Sequence, residues 1–166
     1  MFREALLSEG PRIMEMIDAS KVIMAQKGIV QWNDDYPWLE DIEEDINNKD
    51  GYVYVEDNSI IGYVCINFNE QSDYNNLLEG SWLHSDNHYA TIQRLVVDPS
   101  VTGKSYGSKM MSCIEEVVLS KGIHEIRLDT GVDNKPMIAL ARRNNFNKVG
   151  KIDSYGIERP VFQKFI

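Results

Sequence analysis

The residues best suited to chemistry lie in VDPSVTGKSYGSKMM, from Val97 to Met111. A β-rich stretch beginning at Ile92 runs into Asp98-Pro99, where Pro99 stops the strand, and a helix-period apolar pattern starts at Tyr106. Gly103 and Gly107 let the backbone turn and approach a partner closely. Unpaired N–H groups at a helix start, with small residues and Lys104 beside them, make a site for phosphate oxygens. Gly103-Lys104-Ser105 also reads like the end of a P-loop, G-x-x-x-x-G-K-[ST]. That pattern needs a glycine five residues earlier, where this chain has Asp98, and an aspartate there would repel phosphate. The nucleoside triphosphate reading is weak.

The segment resembles motif A of the GNAT-superfamily N-acetyltransferases, in which V-x-P precedes an R/Q-x-x-G-x-G/A turn that holds the coenzyme A pyrophosphate. Val97, Pro99, Gly103, Lys104, Gly107, Ser108 and Lys109 match. Thr102 replaces the usual Arg or Gln, and Ser105 replaces the middle Gly, so the loop should be stiffer and one cationic contact poorer. Such Pro/Gly loops also join strands to helices in α/β proteins that bind no coenzyme. Downstream, LDTGVDNKPMIALARRNNF (128–146) looks like the family's motif B, with Asp129, Asn134, Met137, Leu140 and Phe146 in place. The resemblance makes Asn134 a coenzyme contact, while Asn at a helix start is also a good cap by itself. The family's usual tyrosine, the proposed acid for the departing thiolate, falls at Ala141. Its usual glycine is Asn145, which tolerates a left-handed helix end. A bulky residue at 107 is expected to block coenzyme and spare the fold, and a tyrosine at 141 to raise turnover where the missing acid limits the rate.

Amine deprotonation is the harder proton transfer, since an ammonium titrates near ~10.4 and a thiol near ~8.5. A general base is therefore more necessary than an acid. Glu79, His84, His88 and Tyr89 precede the central strand, and His88 is the first choice because imidazole titrates in the right range. Gln31, Trp32, Asp34, Tyr36 and Trp38 cluster where the family places a lid over the acceptor. Trp32 and Tyr36 are the expected acceptor contacts, an aromatic wall suited to a cationic amine, although core packing is expected to account for one of the three rings Trp32, Tyr36 and Trp38. Arg142 and Arg143 either favour a helix dipole or, with Lys104 and Lys109, neutralise coenzyme phosphates.

These residues must be positioned by a chain of 166 residues, 43% hydrophobic and 26% charged, sufficient for one domain over 1–166 with its own core. The net charge of −9, from 26 acidic and 17 basic residues, argues against nucleic acid or an anionic membrane. There is no signal-peptide pattern and no apolar run near the ~18 residues of a membrane span, so a cytoplasmic protein is expected. Cys65 and Cys113 form no CxxC pair and read as reduced, packed thiols, and no metal is expected.

Periodicity predicts strands at Phe2–Leu7, Tyr52–Glu56, Ile60–Phe68, Ala90–Val97, Glu125–Asp129, Asn147–Ile152 and Val161–Ile166. Helices are predicted from a Ser8 cap to Gly28, after Pro37, from Tyr106 to before Gly122, and over Asn134–Arg143. Residues 69–88 read as a polar connection. The order β-α-α-β-β-β-α-β-α-β-β resembles the GNAT fold: an α/β (α+β) protein with a mixed, mostly antiparallel sheet splayed between the fourth and fifth strands. The resemblance implies acetyl-CoA as cosubstrate. Leu95, Val96 and Val97 would lie along its pantetheine, with an N–H near Val96 for the oxyanion, and Thr102, Gly103, Lys104, Ser105, Tyr106, Gly107 and Ser108 would lie at its pyrophosphate. The implied reaction is direct attack by a primary amine, on a small molecule or peptide, in a ternary complex. The alternatives are a non-catalytic acyl-CoA sensor and a plain interaction module; a homodimer is left open.

Overall fold

The computed structural model describes residues 1–83, 88–101 and 104–166. One open sheet holds β1 (Phe2–Glu4), β2 (Gly51–Glu56), β3 (Ser59–Asn67), β4 (Glu79–Gly80), β5 (Ala90–Val97), β6 (Glu125–Asp129), β7 (Asn147–Ser154) and β8 (Ile157–Phe165). The strands lie in the order β1-β2-β3-β5-β6-β8-β7-β4. All neighbours are antiparallel except β5 and β6. The helices are α1 (Gly10–Gln26), α2 (Leu39–Asn47), α3 (Tyr106–Ser120) and α4 (Lys135–Arg143).

Strand alternation sends side chains to two cores. Tyr52, Val64, Ile66, Ala90 and Ile92 meet Met110, Ile114 and Val118 of α3 and Ala141 of α4. Val53, Tyr63 and Val96 meet Ile13 and Ile17 of α1 and Ile42 of α2 on the other face. Gly62 lets α3 settle onto β3, since a Cβ there would collide with the Met110 sulfur. The mixed, mostly antiparallel architecture is the one expected.

Two features of β5 shape the molecule. It pairs with β6 only through Ala90–Ile126 and Thr91–Arg127, after which the strands diverge. This is the expected splay, moved from the fourth and fifth strands to the fifth and sixth because β4 adds one. Then β5 bulges: Tyr63 faces Val96 and Cys65 faces Gln93, leaving Arg94 and Leu95 to share the position opposite Val64. Arg94 adopts a left-handed φ of 52°, and the extra residue switches the strand's parity. Ala90 and Ile92 face the α3 core before it, and Leu95 and Val97 face the same core after it.

Other departures have local causes. The first strand stops at Glu4 because a 3-10 turn, Leu7–Glu9, precedes α1. The Glu9 carboxylate accepts the Leu6 N–H at 2.8 Å and pairs with Arg3, so Ser8 sits inside that turn and does not cap α1. The polar connection contains β4, two residues paired to β7. The closing strands are longer than expected because Tyr155 and Gly156, both left-handed, form a tight hairpin between them. Asn145 also adopts the left-handed conformation anticipated for it (φ 64°). Among the described residues no helix is long and apolar enough to cross a membrane.

Candidate active site

Divergence of β5 from β6 opens a cleft of about 740 Å³. Its floor is β5 from Ile92 to Val97, and its far wall is Asp129 at the end of β6 with Asn134 at the start of α4 and Met137 and Leu140 along it. Because the ladder to β6 ends at Thr91, the backbone N–H and C=O groups on that edge of β5 face the cleft unpaired, a template for an extended, amide-bearing ligand. The α3 N-terminus follows β5 in the chain. Its first helical bond runs from the Lys109 N–H to the Ser105 carbonyl. Among the described residues no side chain caps this end, so the preceding amides face outward as donors.

Polar groups hold the cleft walls. The Arg94 guanidinium, projecting from the bulge, donates to Asp45 of α2 through Nε at 2.8 Å and to the Tyr36 hydroxyl through Nη1 at 2.7 Å. Asp45 also accepts from the Tyr63 hydroxyl at 2.7 Å. Burial pulls the Arg94 pKa down, but Asp45 and its neighbours outweigh this and leave it raised. Burial pushes the Tyr36 phenol up against the opposing pull of Arg94. On the opposite wall the Tyr74 hydroxyl donates to Asp129 at 2.7 Å, and the Arg159 Nε lies 2.7 Å from the other Asp129 oxygen. Burial, then the Asp129 charge, raises Tyr74. Both phenols therefore keep their protons at neutral pH. Gln31 bridges the lid to the β6–α4 turn: its Oε1 accepts from Thr130 Oγ1 at 2.8 Å, the Gly131 N–H at 3.0 Å and Asn134 Nδ2 at 2.8 Å.

The fold as a whole is shared with known proteins. The model of the acetyltransferase (GNAT) family matches residues 12–146. The chain belongs to the GNAT acetyltransferase family. A GNAT-family acetyltransferase structure from Streptococcus agalactiae is 26% identical, with 100% of this chain and 95% of that one covered at a TM-score of 0.92. The structure of yncA from Salmonella typhimurium, which contains its cofactor acetyl-CoA, has the same fold at 16% identity, covering 99% of this chain and 92% of that one with a TM-score of 0.69. An IAA acetyltransferase from Azospirillum brasilense is 28% identical over 74 residues, 45% of this chain and 48% of that relative. The chain thus matches about half the length of that relative.

The structure sorts the residues expected from the GNAT motifs. Leu95, Val96, Val97, Asn134, Trp32 and Tyr36 line the cleft. Asn134 is also the α4 cap, accepting the Met137 N–H at 3.3 Å. Trp32 doubles as core, buried with Ile13 and Tyr63. Thr102, Gly103 and His84 lie outside the described residues. Lys104 is at the α3 start, but its ammonium sits 3.1 Å from Glu56 of β2, which also accepts from the Tyr106 hydroxyl. Tyr106 therefore turns its phenol to β2 and away from the cleft. Ser105 is left-handed (φ 52°) and exposed. The Ser108 hydroxyl accepts from Asn144 at 3.2 Å, tying α3 to α4.

Two mutational expectations, at 107 and 141, need correction, and the placement of His88 bears on a third. His88 is exposed ahead of β5 and is not among the cleft residues, because the cleft opens only after Thr91. Gly107 faces α4: a Cβ there would meet Leu140 at 3.1 Å, so a bulky residue would prise the helices apart. Ala141 is fully buried in the core, so a tyrosine there would face packed side chains and not the cleft. Asp34 and Trp38 belong to a separate surface groove beside α1. Sequence reasoning missed Arg94, Asp45, Tyr74 and Arg159. Only the adjacent polar pair Gln93-Arg94 inside an apolar strand signalled the bulge.

The residues present fit coenzyme A. The unpaired β5 edge suits its amide-containing arm, the cleft volume is ordinary for a cofactor site, and the uncapped α3 amides suit its phosphates.

Proposed function

We propose that this chain transfers an acetyl group from acetyl-CoA to a primary amine by direct attack in a ternary complex. The observation that carries the reading is the unpaired edge of β5 from Ile92 to Val97, which leads from the cleft to the uncapped start of α3. When bound, the coenzyme supplies a thioester carbonyl and a thiolate leaving group. The edge of β5 holds the arm in line, and an N–H near Val96 is placed for the carbonyl oxygen as charge develops on it. Amides around Ser105–Ser108, with Thr102 and Gly103, hold the pyrophosphate. Trp32 and Tyr36 form the acceptor wall; the ammonium gives its proton to water in the open cleft before attack, and the departing thiolate takes one up on release.

Calorimetry with coenzyme A, followed by thiol release from acetyl-CoA over a panel of amines, tests the proposal. Saturable binding and amine-dependent release are expected. No association at millimolar coenzyme overturns it. Binding with no turnover for any amine would favour a coenzyme-binding sensor, the second reading, which the buried Ala141 and the absence of His88 from the cleft lining favour.

A further inference from the structure

Gln31 lies between α1 and α2, outside the two motif segments. Its Oε1 is fixed by three donors on the opposite wall, Thr130 Oγ1, the Gly131 N–H and Asn134 Nδ2, at 2.8, 3.0 and 2.8 Å. The orientation of the amide is not arbitrary. The Gly131 N–H can only donate, and Asn134 uses its own Oδ1 to accept from Met137, so Gln31 must present oxygen to this turn. The carboxamide is planar, so Nε2 is fixed as well. Among the described residues it has no acceptor, and the residue lines the cleft. An unpartnered, immobilised donor at a ligand site is pre-organised for an oxygen.

An extended arm laid along β5 satisfies that strand with the groups on one of its edges. The carbonyls on its other edge face the space left by β6, where no backbone remains to bond them. We propose that Gln31 Nε2 donates to such a carbonyl of the coenzyme arm, making Gln31 a binding residue of the lid. This rests on the coenzyme reading above. The lid then senses the cosubstrate directly, and the same side chain that closes the acceptor wall grips the arm.

Gln31→Glu separates the two roles. A carboxylate still accepts from Thr130, Gly131 and Asn134, so the ligand-free Tm should stay unchanged, but the donor is gone. Calorimetry should then show coenzyme A binding about tenfold more weakly than to the unmodified protein. Adenosine 3′,5′-bisphosphate, which keeps phosphates and lacks the arm, should bind both forms equally. Gln31→Ala should lower both Tm and coenzyme affinity. Unchanged coenzyme affinity in Gln31→Glu overturns the proposal. Equal weakening of coenzyme A and the bisphosphate also overturns it, because the effect would then be charge alone. Failure of the unmodified protein to bind coenzyme A would instead sink the reading on which it rests.

Discussion

Arg94 holds a backbone conformation that costs a non-glycine residue roughly 1–2 kcal/mol, and its bonds to Asp45 and Tyr36 offset that cost. Asp45 is almost fully buried beside it. Arg94→Met should therefore destabilise by about 3–5 kcal/mol, because an unpaired carboxylate is left inside. Adding Asp45→Asn should recover much of the loss in urea unfolding, and no recovery would count against the pairing. Asp50, nearby, is pushed up to about 6 by burial and then by the Asp45 charge. Its folded pKa exceeds its unfolded one, so its contribution is fully favourable below about 4 and is lost as pH rises through 6. Asp50→Asn should raise Tm at pH 7.5 and make no difference at pH 4; a lower Tm at pH 7.5 would contradict this. The sequence displays part of this site. Trp32, Tyr36 and Asn134 are legible as types in a motif context. The partners of Gln31 and Arg94 come from elements far apart in the chain, and spacing alone carries no trace of them.

At the scale of elements, α3 has two demanding neighbours. Its Gly107 packs on Leu140 of α4, so Gly107→Leu should cost about 1–3 kcal/mol in urea unfolding through overpacking; an unchanged midpoint would show that α4 yields freely. At the same end Glu56 of β2 occupies Lys104 and adds negative charge near the proposed phosphate site. Glu56→Gln should release Lys104 and tighten coenzyme A binding by calorimetry, and weaker binding would mean that the carboxylate instead orders this helix start. Most elements were readable because their apolar periods are strong. β4 was not, since two residues have no period, and the β7–β8 hairpin was underestimated because Tyr155-Gly156 lacks the usual Asn-Gly or Asp-Gly signal.

Across the whole molecule, strand order and splay followed from the element sequence only by resemblance; periodicity gives elements, not their neighbours in a sheet. A coenzyme at a hundred times its dissociation constant should stabilise the fold by ~2.7 kcal/mol, raising Tm by about 5–10 °C for a chain of this size. No shift under saturation would mean that the folded state does not bind it. The divergence after Thr91 has a mechanical consequence as well. Two half-sheets share a seam of only two backbone rungs, bridged besides by the core beneath α3 and α4. A ligand lying on β5 would act as mortar in that joint, stiffening the hinge between the halves. Amide exchange should then slow along 92–97 and across the lid, while the rungs at 90 and 91, already paired, change little.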